Sequence, residues 1–271
     1  MHKDIKKAME RVPLLPYNIS ALFRIINDPT KNFGDLTAIV SQDPALAMQT
    51  LHLCNSAYYS FPEEITSIHH AIMLMGMDTV AGLAMAAYLQ ELLEPKDVSG
   101  KYWLKGAKNH VLSTSRFAEY LASKIPVQES PRTAFTGGLL HDIGKLVLSR
   151  LPSEITRKVI SCREKDNVSF LEAERIVLGE DHAEIGYYLA EKWEVPELIR
   201  EIIRYHHAPT QSKYILTLIV YIANSVVNQL DNGRHGVIDL SGIDPEVIEE
   251  LHMNKDDILM LLSDWDIKLC G

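Results

Sequence analysis

The sequence predicts an all-α protein, and three observations carry that prediction. Apolar residues recur at three- and four-residue spacing along most of the chain, the period of one helix face. Punctuation comes as helix caps: Asp43-Pro44, Ser67, Ser169 with Glu172, and Asp181 with Glu184 each place a capping oxygen before an apolar run. No stretch alternates apolar and polar residues between hairpin turns, so no strand is expected.

Composition narrows the class. The chain has 271 residues, enough for one large domain or two smaller ones, with 46% hydrophobic and 23% charged residues. Its formal charge of -9, from 27 basic and 36 acidic residues, argues against nucleic acid as the main partner. Cys54, Cys162 and Cys270 have no short spacing and read as reduced thiols, not as a disulfide framework or zinc knuckle. Met1 to Arg11 is charged and carries no apolar core, so no signal peptide is expected. The apolar stretches near 71–93 and 215–230 are broken by polar residues and fall short of a spanning segment. A cytoplasmic protein without a membrane partner is the expectation.

In chain order, Val12-Pro13-Leu14-Leu15-Pro16 is an extended lead-in fixed by its prolines. A helix to about Ile26 stops at Asn27-Asp28-Pro29, a second covers about Phe33 to Val40, and a third starts at Asp43-Pro44 and ends at Asn55. Ser67 caps a helix through Met75, and Asp78 or Thr79 starts the next, which reaches about Leu93. Met48, Met73, Met75, Met77 and Met85 read first as core lining for this half, although a methionine-rich surface also suits adaptable partner binding. The stretch 94–100 is the best boundary, dividing an N-terminal helical subdomain (1–97) from a helical core (98–230) and a tail (231–271). One long helix is expected over Tyr102–Ser123 and another over Ser130–Arg150. Further helices follow from Pro152 to about Lys165, Ile185–Trp193, Glu197–His207, Ile215–Leu230, Pro245–Leu251 and Lys255–Trp265. No fixed-period repeat or low-complexity segment interrupts them.

The core segment concentrates chemistry. His110, His141 with Asp142, His182, and His206 with His207 fall on four separate expected helices, facing inward as ligands of a buried metal must. Any one of these histidines is more simply a core or surface residue; the set points to a metal. Neighbours on a helix diverge by about 100°, so the two adjacent pairs imply either one irregular site or two ions bridged by Asp142. Nitrogen-rich, sulfur-free ligation suits iron, nickel, manganese or zinc, as one or two divalent ions. Lys145, one turn from Asp142, either holds a phosphate oxygen or is a solvated lysine near a helix end. Gly137, Gly138 and Gly144 allow close approach of a ligand or of another helix. His69-His70 has no carboxylate pattern beside it and reads as surface or packing.

The order His110, His141-Asp142, His182, His206-His207 resembles the HD phosphohydrolase superfamily, especially its HD-GYP branch of cyclic-dinucleotide phosphodiesterases. The N-terminal half is similar to a more particular family, HDOD (HD-related output domain). Leu14-Leu15-Pro16, Ile39-Val40-Ser41-Gln42-Asp43-Pro44-Ala45-Leu46, Cys54-Asn55-Ser56-Ala57-Tyr58-Tyr59, Ile65-Thr66-Ser67-Ile68 and Ala71-Ile72-Met73-Leu74-Met75-Gly76 carry that resemblance. It extends over about residues 10 to 225.

The resemblance implies an all-α, HD-like bundle used in bacterial signal transduction, working through a signalling partner or a small phosphorylated ligand. Many HDOD members lack the metal ligands, whereas this chain keeps His110, His141, Asp142, His182, His206 and His207. Two departures separate it from active HD enzymes. The aspartate of the final core helix corresponds to Asn224, and Ala208-Pro209-Thr210-Gln211 stands where HD-GYP proteins continue with a glutamate and Gly-Tyr-Pro. The resemblance thus implies one ion at Asp142, His182, His206 and His207 with its full set, and one at His110, His141 and Asp142 short of a charged ligand. If the chain is an enzyme, it hydrolyses a phosphate ester with Asp142 and Lys145 in the catalytic roles.

Overall fold

The computed structural model describes residues 2–27, 32–232 and 238–270, and among these every regular element is helical. The N-terminal helices are α1 (Lys3–Glu10), α2 (Tyr17–Asn27), α3 (Phe33–Ser41), α4 (Pro44–Cys54), α5 (Ile68–Met75) and α6 (Met77–Leu92). The helices of the core segment are α7 (Val98–Trp103), α8 (Ala107–Ala122), α9 (Pro131–Leu140), α10 (Gly144–Leu148), α11 (Ser153–Asp166), α12 (Phe170–Leu178), α13 (His182–Lys192), α14 (Glu197–Tyr205) and α15 (Ile215–Asp231). Helices α16 (Pro245–Glu250) and α17 (Lys255–Cys270) form the tail.

Caps explain most of the boundaries. Asp43 accepts from the Ala45 and Leu46 amides with Pro44 in the first turn, and Ser67 accepts from the His70 amide. Ser169 and Glu172 form the full reciprocal box, as do Asn32 and Asp35. At α13 only half of the expected box exists. Asp181 accepts from the Glu184 amide, but the Glu184 carboxylate is drawn away into two 2.9 Å bonds with Arg204. Neither Asp78 nor Thr79 caps α6. Gly76 precedes it at φ +84°, and Thr79 bonds back to the Met75 carbonyl. The expected stop at Asn27-Asp28-Pro29 lies beyond Asn27 outside the described residues.

Two expected long helices are broken, and both breaks matter for the site. Tyr102–Ser123 is α7 and α8: the first run stops at Trp103, and Gly106, at a left-handed φ of +76°, precedes the second. The break lets Trp103 turn inward, where its ring meets Phe170 and its Nε1 donates to Thr156 Oγ1. Ser130–Arg150 is α9 and α10, joined by a tight turn over His141–Ile143. The Ile143 amide there donates to the Leu140 carbonyl and the Lys145 amide to the Asp142 carbonyl, both three residues back instead of four. Likewise α14 stops at Tyr205, which leaves His206-His207 in the turn that follows and not on the helix.

The centre of the bundle is α8 against α9, with α15 lying on both. Gly138 makes that contact possible, since a Cβ there would sit 2.7 Å from the Ser115 Cα. Helix α13 packs against α10 and α14, and α6 joins the N-terminal helices to α8 and α9. One apolar cluster runs from Ile5 through Phe117, Leu139 and Ile219 to Trp265. The methionine reading is partly corrected. Met85 is buried, but Met48 and Met73 lie 69% and 62% exposed on the N-terminal surface.

Candidate metal centre

Loops and helix ends converge where α8, α9–α10, α13 and α14 meet. His110 sits one turn into α8, His141 and Asp142 in the turn after α9, His182 at the first position of α13, and His206 and His207 just past α14. Only His110 and His182 are helical, so the expectation of four ligand-bearing helices is corrected to two helices and two turns. Helix termini can aim neighbouring side chains at one point, which a continuous helix cannot.

All six side chains come together, and Asp142 is the hub. Its Oδ2 faces His141 Nε2 at 3.5 Å and His110 Nε2 at 3.7 Å. Its Oδ1 faces His182 Nε2 at 3.3 Å and His206 Nε2 at 3.8 Å. His207 Nε2 lies 2.9 Å from His182 Nε2, while the rest of that residue reaches solvent. The donors form two groups, His110–His141–Asp142 and His182–His206–His207. Metal–nitrogen bonds of about 2.0–2.1 Å put donors of one ion about 3 to 3.5 Å apart, close to these separations.

Four rings are held from behind. His141 Nδ1 bonds the Gly138 carbonyl and His206 Nδ1 the Ile203 carbonyl, each at 2.7 Å. His182 Nδ1 bonds Glu174 Oε2 at 2.7 Å, and His110 Nδ1 bonds Asp231 Oδ2 at 2.8 Å. Carbonyls and carboxylates only accept, so each Nδ1 carries its proton, and each Nε2 offers a lone pair whenever its ring is neutral. For His141 and His206, both fully buried, that Nε2 has no hydrogen-bond partner among the described residues. A buried nitrogen lone pair left unpaired is costly. A cation at this point would satisfy it, so the residues fit a metal.

The electrostatics follow from burial. Desolvation pulls His141 down to about 4 against the pull of Asp142, takes His206 well below the ordinary histidine range, and takes His207 down to about 2. At His182 burial also opposes charge, but the Glu174 carboxylate overrides it and lifts the ring to about 9. Burial would raise Asp142, yet Lys145 and the surrounding imidazoles hold it well below its usual value. The centre therefore keeps three neutral rings and one carboxylate. Between His182 and His207 a proton stands where a metal would otherwise draw the two nitrogens together.

Lys145 pairs with the centre: its Nζ sits 2.5 Å from Asp142 Oδ2, while the side chain stays 30% exposed on the cleft side. Gly144 is a packing glycine, because a Cβ there would collide with the His182 carbonyl. Two functional carboxylates escaped the sequence reading, Glu174 behind His182 and Asp231 behind His110. Asp231 lies two turns beyond Asn224 on α15, whereas Asn224 itself is buried and accepts from Asn228 Nδ2. A cleft of about 480 Å³ opens over the His110 side, with Trp103, Lys105, Asn109 and Lys145 on its walls. A larger cavity, about 770 Å³ between Tyr17–Arg24 and Trp193–Pro196, shares no lining residue with it. No helix among the described residues is long and apolar enough to cross a membrane.

An all-helical bundle with buried His/Asp groups at the meeting point of its turns is a domain of the HD type. More particularly, the chain belongs to the HDOD domain family, whose model matches residues 12–209. It is 28% identical over 233 residues to an uncharacterized protein of Treponema pallidum (strain Nichols), which covers 84% of this chain; the chain spans only 44% of that relative. Among solved structures, it superposes on an HDOD domain protein of unknown function from Geobacter sulfurreducens with a TM-score of 0.70 at 24% identity, over 98% of this chain and 97% of that one. A candidate signal transduction protein from Marinobacter aquaeolei VT8 gives 0.75 at 22% identity, over 98% of this chain and 62% of that one. A candidate phosphohydrolase from Shewanella amazonensis SB2B gives 0.69 at 21% identity, over 93% and 94%. At these identities the likeness to the solved structures is one of fold.

Proposed function

We propose that this chain is a cytoplasmic regulatory HDOD domain of bacterial signal transduction that holds a divalent transition metal as a structural or regulatory element. The observation that carries the metal is the convergence of Nε2 lone pairs on Asp142, two of them buried without a partner. The donors are His110, His141, Asp142, His182, His206 and His207, and their nitrogen-rich set favours iron, nickel, manganese or zinc. A regulatory role is favoured by Asn224, which brings no charge to α15 where active HD enzymes have a carboxylate, and by the buried Pro209 in place of the Gly-Tyr-Pro segment. The output then runs through a signalling protein or a small phosphorylated ligand, not through nucleic acid or a membrane.

A metal-dependent phosphohydrolase is the second reading, favoured by Lys145 beside Asp142 and by the cleft over His110. A bound metal would lower the pKa of a coordinated water and polarise a phosphoryl oxygen. Elemental analysis of the purified protein, with the same sample assayed on a generic phosphodiester and on cyclic dinucleotides, decides between them. Metal without turnover is the expected result. Turnover that disappears in Asp142→Ala overturns the regulatory reading, and a protein that neither carries nor binds metal overturns the site.

A further inference from the structure

Resting on the metal reading above, we infer that the centre holds one metal ion, in its inner half, and that the Lys145 ammonium occupies the place of a second. The two oxygens of Asp142 divide the donor set. Oδ1 faces His182 and His206, with His207 completing that side, so its neighbours are imidazoles. Oδ2 faces His110 and His141, and Lys145 Nζ lies on this same oxygen at 2.5 Å. Any ion bound to Oδ2 would meet a positive charge already within hydrogen-bond reach of its ligand.

The backbone that carries that charge is held in place. Lys145 is the second residue of α10, and the first, Gly144, is pressed against the His182 backbone without room for a Cβ. The base of the lysine is therefore fixed relative to Asp142, three residues before it. Only the side chain can swing, and doing so would break the ion pair.

The carboxylates are distributed the same way. The inner half has Asp142 and, behind His182, Glu174, which are 5% and 1% exposed and together balance one dication. Behind His110 stands only Asp231, 43% exposed, so water screens its charge. Asn224 adds none. Charge, burial and the number of imidazoles all favour one ion against Oδ1.

The test is to titrate the metal-stripped full chain with Mn²⁺, counting equivalents by calorimetry and native mass spectrometry and recording the Mn²⁺ electron spin resonance spectrum. Wild type is expected to take up one equivalent with a mononuclear signal. Lys145→Met, which keeps the aliphatic stem and removes the charge, is expected to take up a second with an exchange-coupled signal. Lys145→Arg, which keeps the charge, is expected to remain at one. Glu174→Gln should weaken the wild-type step by about 10- to 100-fold, whereas Asp231→Asn should shift it far less. Two equivalents of comparable affinity in wild type overturn the inference while leaving the metal reading intact. So does a Lys145→Met variant that is folded by circular dichroism and still binds one. No binding at all by wild type removes both.

Discussion

Glu174 Oε2 accepts two hydrogen bonds from a single residue, the backbone N–H and the ring Nδ1–H of His182, each at 2.7 Å. The carboxylate thereby fixes the start of α13 and the orientation of its first side chain together. It also sets the charge of the metal-free centre. Burial alone would keep His182 neutral, but Glu174 lifts the ring from its ordinary 6.5 to about 9.

A raised value in the fold means that protonated His182 stabilises the metal-free protein fully below about pH 6.5, and that this contribution is lost as pH rises through about 9. Thermal melts of stripped protein should show a falling midpoint across that window. In Glu174→Gln the fall should be much reduced, because the charge that holds the proton is gone. A wild-type midpoint that is flat from pH 6.5 to 9 would sink this account of His182.

The opposite sign governs the other rings. His141 at about 4 and His207 at about 2 stay neutral in the fold at pH values where the unfolded chain takes up protons. The stability they contribute is present above about pH 6.5 and drains away as pH falls towards 4. The same protons compete with metal for the Nε2 lone pairs. Acidification from pH 6.5 towards 4 should therefore lower the melting midpoint, read by circular dichroism, while metal, followed with a metal-sensitive dye on the same sample, should leave only as the protein unfolds or as pH falls through and below about 4. Release of metal near pH 6 from protein that is still folded would contradict the low values of these imidazoles.

How much of this was legible in the sequence depended on whether the signal was local. Caps at Asp43, Ser67 and Ser169 lie beside the helices they start, and the histidines are conspicuous against an apolar background. The helix breaks at Gly106 and at His141–Ile143 were missed because apolar spacing continues across both. What marks the breaks is a left-handed glycine just before α8 in one case and a glycine packed on α13 at the start of α10 in the other. Glu174 was missed for a similar reason. In α12 it occupies an ordinary helix position, and only the fold brings it under His182. Asp231 carries charge to His110 from two turns beyond Asn224 on the same helix, and nothing local in the sequence ties it to that histidine.

Gly144 offers a direct test of how tightly the centre is built. A methyl group there would run into the His182 carbonyl and approach the Gly186 amide at 2.8 Å, and neither is the flexible end of a side chain. Gly144→Ala should cost about 3 kcal/mol or more, at or beyond the upper end of ordinary overpacking, and should weaken metal binding because α10 and α13 must separate. Gly242→Ala meets nothing within 4 Å and should stay within about 0.5 kcal/mol of wild type. Urea midpoints of the two variants make the comparison, and equal midpoints would contradict the contact.

In the N-terminal half, Asn55 acts on the backbone. At the end of α4 its Nδ2 donates to the Leu51 carbonyl at 3.0 Å and the Ile65 carbonyl at 2.9 Å, while its Oδ1 accepts from the Ile65 amide at 2.8 Å. One side chain thus caps a helix and ties both polar groups of Ile65, whose side chain is buried, across the loop that carries Tyr58 and Tyr59. Removing it leaves those groups to find water at the edge of the core. At about 1 kcal/mol per bond, Asn55→Ala should destabilise the protein by about 2 to 3 kcal/mol. Asn55→Asp should do no better, because a carboxylate can accept from Ile65 but cannot donate to its carbonyl. Both variants should be cut faster by protease between residues 56 and 65, with metal content unchanged wherever the protein remains folded. Metal loss from folded Asn55→Ala would instead make this loop part of the centre.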